Sequence, residues 1–343
     1  MNLFAPVVDE SRWHQHFTTL MRPDSRYVCD VLSDWARGFV DRDGKFVREF
    51  QTSFNSAFWE LYVHAVLKKY GMPVDFSVDR PDFLVREPAF CIEAGVALSA
   101  QDSVPEHDQS PRDVPEDLNE LNRVAILRLL NTTSSKLRKF RQEYSILAHV
   151  RGKPFVLALA SFEQRYSYLG AQRPIEAVLL GNYVNEERYI KAGRPGGVLT
   201  DEPMESISKR EGVEIDLGLF CSPACPEISA VMFNACANFG KARALSADPE
   251  RRSFFTSFRQ NMGGDTPHVV QGSLGEYSET LIDGLRIYHN PFAYHPLDPA
   301  HFRHPSVFQV YVRDDEVIAE QREGQLLNRF TQSILNGSQL PSR

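Results

Sequence analysis

The feature that most constrains the fold is a ten-residue run at 89–98, AFCIEAGVAL, in which a single carboxylate, Glu93, sits among apolar neighbours. An ionised carboxylate is almost never fully buried unless a cation, a metal or several donors compensate it. Together with 81–86 (PDFLVR) the run reads as a β-hairpin with a tight turn near Glu87–Pro88. Pro81 at the first position of a strand suits an edge or a bulge. Alternation puts Cys91, Glu93 and Gly95 on one face and Ile92, Ala94 and Val96 on the other. The Glu93 face is the less apolar of the two, which suits either a cleft or solvent.

A helix expected over 53–70 precedes the hairpin, with Ser53 to cap it and Gly71 to end it. Phe54, Phe58, Leu61, Tyr62 and Ala65 recur at helical spacing and should enter the core. Glu60 lies beside that apolar face, where a carboxylate is costly without partners. Residues 1–45 read as a helical preface, with helices within 13–21 and 27–40, and 74–78 (VDFSV) as a short strand. Residues 99–120 hold seven acids, one arginine and three prolines, the pattern of a mobile acidic loop. The stretch 121–153 then carries eight lysines and arginines against Glu143 alone. It is expected to form two helices that break near Asn131–Thr133, with Thr133 or Ser134 capping the second. An apolar run at 154–161 has the pattern of a buried strand. Further strands are expected at 214–220, 228–236 and 284–289, with a hairpin over 307–320 turning at Asp314–Asp315. Helix, hairpin, helices and strand in this order make an α/β chain.

With 42% hydrophobic and 24% charged residues, the 343-residue chain is neither wholly disordered nor fibrous. No apolar run approaches 18 residues, so no membrane partner is expected. The first residues lack the basic start and long apolar stretch of an export signal, and five cysteines, an odd number, do not make a disulfide framework. A cytoplasmic protein is the expectation. A net charge of −7 argues against a general polyanion-binding surface, but one basic element can focus a phosphate backbone onto a single face. Cys221, Cys225 and Cys236 lack the two-pair spacing of a structural zinc site. His295, His301 and His304 cluster in a proline-rich loop with the side chains for zinc or manganese. The glycine turns RPGG and MGGD lack the lysine and hydroxyl of a phosphate-binding loop, and no Gly-x-Ser-x-Gly elbow supports a serine hydrolase.

If Asp82 and Glu93 project from neighbouring strands to the same side, their oxygens suit Mg²⁺, which takes one or two carboxylates, several waters and a substrate phosphate. Glu60 in FWELYVHAVLKKYG, RPDF at 80–83 and CIEAG at 91–95 together resemble the PD-(D/E)XK nuclease superfamily. The resemblance covers roughly residues 50–160. It implies a restriction-endonuclease-like core, a mixed central sheet flanked by helices, over 46–240. An N-terminal helical segment (1–45) and a C-terminal α+β extension packed on the core (241–343) would be additions. It further implies that Asp82, Glu93 and Glu60 hold Mg²⁺ or Mn²⁺ for hydrolysis of DNA phosphodiester bonds. The family places a lysine two residues after the second acid, where this chain has Gly95. Lys136 or Lys139 would then supply the catalytic amine from the following helix. Arg138 and Arg141 would position phosphates, and Gln142 resembles a polar residue that some relatives place near the metal. Loss of the motif lysine also fits an inert module of the same fold. Such a module would bind DNA or a partner protein in a defence or mobile-element system, alone or as a homodimer. A metabolic enzyme with its site in the C-terminal half is a third reading, for which the sequence offers no named residues.

Overall fold

The computed structural model describes residues 1–100, 104–106, 108–109, 116–185, 188, 191, 193, 201–210, 212–264 and 266–333. Four helices open the chain: Gln15–Leu20 (α1), Arg26–Trp35 (α2), Phe46–Thr52 (α3) and Phe54–Lys69 (α4). The last buries Phe54, Phe58, Trp59, Leu61 and Tyr62 together with residues 63–67, and is apolar almost all round. A helix of that kind belongs at the centre of a core, not on its surface. Trp59 anchors it by donating its indole N–H to the Ala158 carbonyl at 2.9 Å. Gly71 ends it in the left-handed region, at φ +66°. Ser53 makes no side-chain capping bond: it is also the residue at which α3 ends, and its backbone at φ −128°, ψ 41° is not the extended conformation of a capping residue.

The hairpin follows as Phe83–Val85 (β1) and Phe90–Leu98 (β2), paired antiparallel. The expected strand at 74–78 is reduced to one bridge, Val74 to Val85. Asp75 turns the chain there by accepting from the Ser77 amide and the Arg86 guanidinium. Ten of the 22 residues of the acidic stretch 99–120 lie outside the described residues. Its end does not: Asp117 accepts from the amides of Asn119 and Glu120 and so starts a 22-residue helix, Leu118–Lys139 (α5). The helix runs straight through the expected break. Thr133 is buried and returns its hydroxyl to the Leu129 carbonyl at 2.8 Å, so it serves the helix interior in place of a cap. A five-residue π-helical turn, Phe140–Tyr144, closes α5 before Phe155–Phe162 (β3).

β2 and β3 pair in parallel, with α5 as the crossover. Seven strands make the main sheet once Ala230–Phe233 (β8), Arg286–His289 (β11), Phe308–Arg313 (β12) and Glu316–Ala319 (β13) are added. Its order, β1-β2-β3-β8-β11-β12-β13, contains parallel and antiparallel pairs. The protein is therefore mixed α/β, a large mixed sheet flanked by helices. Ile92, Ala94, Val156 and Ala158 face α4 and the N-terminal helices. Cys91, Leu157 and Leu159 face α5 and Arg173–Leu180 (α6). Three of the seven strands come from residues 286–319, so much of the segment read as an extension completes the central sheet. The hairpin at its end turns at Asp314 and Asp315, both with positive φ, as a two-residue turn between twisted strands requires. The described chain also forms two small ribbons, Asn182–Tyr183 (β4) with Glu202–Pro203 (β5) and Ser206–Arg210 (β6) with Val213–Asp216 (β7). Phe239–Ala244 (α7) precedes a separate three-stranded sheet of Ser253–Arg259 (β9), His268–Ser273 (β10) and Leu326–Ser333 (β14). A fully buried cluster joins that sheet to α7: Glu279 takes Lys241 on one oxygen and Arg329, 2.9 Å away, on the other. No described helix is long and apolar enough to cross a membrane.

Glu163, directly after β3, is buried, and neither of its oxygens has a well-formed hydrogen bond. Burial pushes its carboxyl up to about 7, against the pull of its own amide, Gln164, Ser161 and Arg128. A carboxyl raised in the folded state costs stability as pH climbs from its unfolded value to its folded one. Glu163→Gln should therefore match the wild type at pH 4 and be more stable above pH 7, by up to on the order of 3 kcal/mol. Urea midpoints at the two pH values measure the difference.

Candidate active site

The pairing of β1 with β2 stops at Phe83 opposite Ile92. Beyond that point, among the described residues, β2 is paired only with β3, and its other side is an open edge. Asp82, the residue before β1, extends the pairing with its side chain: Oδ2 accepts the Ala94 amide at 2.7 Å. A cleft of about 500 Å³ lies along this edge, walled by Glu60, Asp82, Glu93, Arg128, Lys136 and Lys139. Glu60 reaches it from α4 on one face of the sheet and the cations from α5 on the other. The three carboxylates predicted to converge thus line one cleft.

Glu93 is the most constrained of them, with its side chain 1% exposed. Its Oε1 accepts from Lys136 Nζ at 2.8 Å and Lys139 Nζ at 3.1 Å, and its Oε2 from the Tyr144 hydroxyl at 3.0 Å. Burial alone would raise its pKa, but Lys136 and then Lys139 outweigh burial and hold the carboxyl below its usual range. The reciprocal effect lifts Lys136: burial opposes its charge, and Glu93 and Asp82 more than restore it. Glu60 and Asp82 behave oppositely. Burial, then Asp82, pushes Glu60 up to about 8. Burial, then Glu93, pushes Asp82 up to about 6. Both lysines spend their bonds on Glu93, so Glu60 and Asp82 are left to carry the cost of burial and of mutual repulsion.

Gly95 explains how α5 comes so close. A Cβ at that position would lie 3.0 Å from both Leu159 Cδ2 and Thr132 Cγ2, and 3.5 Å from Lys136 Cε. The lysine side chain from α5 thus lies against the space a side chain at 95 would enter. Lys136 and Lys139 are where sequence reasoning put them. Arg141 is not in the cleft: its guanidinium pairs twice with Glu227, at 2.7 and 3.0 Å. Arg138 and Gln142 are exposed and lie outside the lining of the cleft. Arg128, not singled out before, lines it with Asn131, Thr132 and Ser135. Positions 128, 132, 135, 136 and 139 form one stripe of a helix, a periodicity that an uninterrupted reading of 118–139 would have exposed. Tyr144 had no such signal, because a π-helical turn shifts it out of α-helical phase.

Among the described residues, no three His, Cys, Asp or Glu side chains are grouped closely enough to hold a metal ion. That covers Glu60, Asp82 and Glu93, which line one cleft without being gathered into a three-carboxylate group, as well as the weaker histidine candidates His295, His301 and His304. The five cysteines are free thiols.

No family model matches this chain, and no curated protein or solved structure matches it. The chemistry of the cleft therefore has to be read from its own side chains. Lys136→Met should return the Glu93 carboxyl upward, toward or above the ordinary carboxylate range, because one of two neutralising cations is lost. With Lys139 still present, the expected loss of stability is about 1–3 kcal/mol at neutral pH. It should shrink as pH falls through the carboxylate range, where the wild-type pair is also lost. Carboxyl NMR titration and denaturant melts test the two halves.

Proposed function

We propose that the chain is a divalent-metal-dependent nuclease of the PD-(D/E)XK type, hydrolysing DNA phosphodiester bonds at the open edge of β2. The observation that carries this reading is Lys136. Its amine contacts the second motif acid, Glu93, from beside the glycine that stands where the family has its lysine. The order of the parts supports it too: a helix acid, Glu60, then Asp82 and Glu93 from a hairpin, then a crossover helix and a parallel strand.

The three acids are not gathered into one ligand group, but Asp82 and Glu60 offer the one or two carboxylates that Mg²⁺ takes beside water and a substrate phosphate, and the repulsion and burial that raise them are what a divalent charge relieves. Asp82 and Glu60 would hold Mg²⁺ or Mn²⁺ with Glu93 beside them, and the bound ion would polarise water and offset charge on the phosphate. Lys136 orients the attacking water and stabilises charge gathering on phosphate oxygens. Arg128 holds the phosphate through the mouth of the cleft. Tyr144 and Lys139 keep Glu93 from swinging away. Arg138 and Gln142, exposed beside this region, are left to contact the strand outside the cleft, while Arg141 would first have to leave Glu227.

A second reading has its own support. Both oxygens of Glu93 are already satisfied by Lys136, Lys139 and Tyr144, so the buried charge needs no ion to neutralise it. That arrangement favours an inert module of the same fold that binds DNA or a partner protein. Calorimetry separates the two: heat of Mg²⁺ or Mn²⁺ binding at millimolar concentration favours the nuclease, and its absence favours the module. Asp82→Ala should abolish Mg²⁺-dependent DNA cleavage while leaving far-ultraviolet dichroism native. Undiminished nicking by that variant would sink the nuclease assignment.

A further inference from the structure

A second, smaller cleft of about 210 Å³ opens next to the first, lined by His16, Asn55, Glu106, Arg165 and Phe239, with Arg329 at its base. The two share the start of α4, with Asn55 in one and Ser56 and Glu60 in the other. They also share the carboxyl ends of two adjacent parallel strands, Leu98 of β2 and Ser161 and Phe162 of β3. Ligands of α/β proteins gather outside those ends.

Part of the acidic stretch, residues 104–106 and 108–109, is stitched onto this second cleft. Glu106 Oε1 accepts from Asn55 Nδ2 at 2.6 Å and lies 3.4 Å from His14 Nε2. The His16 amide donates to His14 Nδ1, which leaves Nε2 as the ring nitrogen on the carboxylate's side. Gln109 accepts twice from Arg165: its carbonyl from the guanidinium at 2.8 Å and its side-chain oxygen from the amide at 3.0 Å. Donors from three separate parts of the chain thus converge on the oxygens of one short segment. Among the described residues lining this cleft, Glu106 is the only acid, and Arg165 and Arg329 lie around it. Arg329 is already matched by Glu279 beneath and Arg165 is held by Gln109, which leaves Asn55 and His14 as the groups beside the Glu106 carboxylate.

We infer that this is a phosphate seat for a nucleic-acid strand that continues from the carboxylate cleft, and that Glu106 fills it as a stand-in for the phosphate. The inference rests on the nucleic-acid reading of the first cleft, and adds a binding subsite together with its intramolecular competitor. The strand must displace Glu106 to enter, so the competitor lowers apparent affinity by the fraction of chains in which the seat is filled.

Anisotropy of a short fluorescent single-stranded DNA, with divalent ions chelated, measures this apart from cleavage. Glu106→Ala should bind roughly tenfold tighter than wild type, about 1.4 kcal/mol, and Glu106→Gln should move in the same direction. Adding Asn55→Ala to Glu106→Ala should remove the gain, and inorganic phosphate should compete with DNA for the single variant. Equal affinity of the wild type and both Glu106 variants overturns the seat, as does a gain that survives loss of Asn55 or an absence of DNA binding by every form. Phosphate binding to Glu106→Ala without a gain for DNA overturns the nucleic-acid assignment. A DNA gain with no cleavage by any form in Mg²⁺ counts against the nuclease reading alone. Cleavage without the gain counts against the seat alone.

Discussion

A charge with no access to water, Glu93 on β2, sets the geometry of the rest of the site. Such a group stays ionised only if cations are brought to it and held there. The chain meets this with a single long helix: Lys136 and Lys139 are three residues apart on α5 and reach the same oxygen, and the π-helical turn at its end delivers Tyr144 to the other. Gly95 removes the one side chain that would hold α5 off the sheet. The requirement to neutralise one carboxylate thus fixes where the crossover helix lies, and with it the wall of the cleft.

The other two acids are related to Glu93 through the edge of the sheet and not through a shared face. Glu60 belongs to the α4 layer and Glu93 looks toward α5, so in the sheet interior the backbone of the sheet itself would separate them. They meet because β1 is short and leaves the next stretch of β2 uncovered. Asp82 stands at that opening, bonded to the first uncovered amide. Its own carboxyl is raised by burial and by Glu93, while Lys136 and Lys139 pull it down. The cleft therefore holds one compensated acid, Glu93, beside two that are not, Asp82 and Glu60.

The elements legible in the sequence were those whose signal is local. The hairpin, the acid among apolar neighbours and the buried strand after the basic stretch needed only alternation and the cost of burying charge. The central helix was legible by its period, although Ser53 does not make the capping bond expected of it. What failed was local propensity overruled by packing. Asn131, Thr132 and Thr133 look like a helix break, but Thr133 shares the face of Ile126, Leu129 and Leu130 that is pressed on the sheet, and the helix continues. Arg141 looked available because its partner, Glu227, is 86 residues away in sequence. The contribution of residues 286–319 to the main sheet was equally hidden, since short strands carry little pattern and their neighbours are set by topology.

The uncovered stretch of β2 has one more implication, for behaviour in concentrated solution. An exposed strand edge offers free amides and carbonyls to any extended polypeptide and is a standing invitation to aggregate. Here that edge is flanked by Asp82, Glu60 and the lysines of α5, and its first amide is already taken. Charges placed beside it also make it a poor template for another chain's strand.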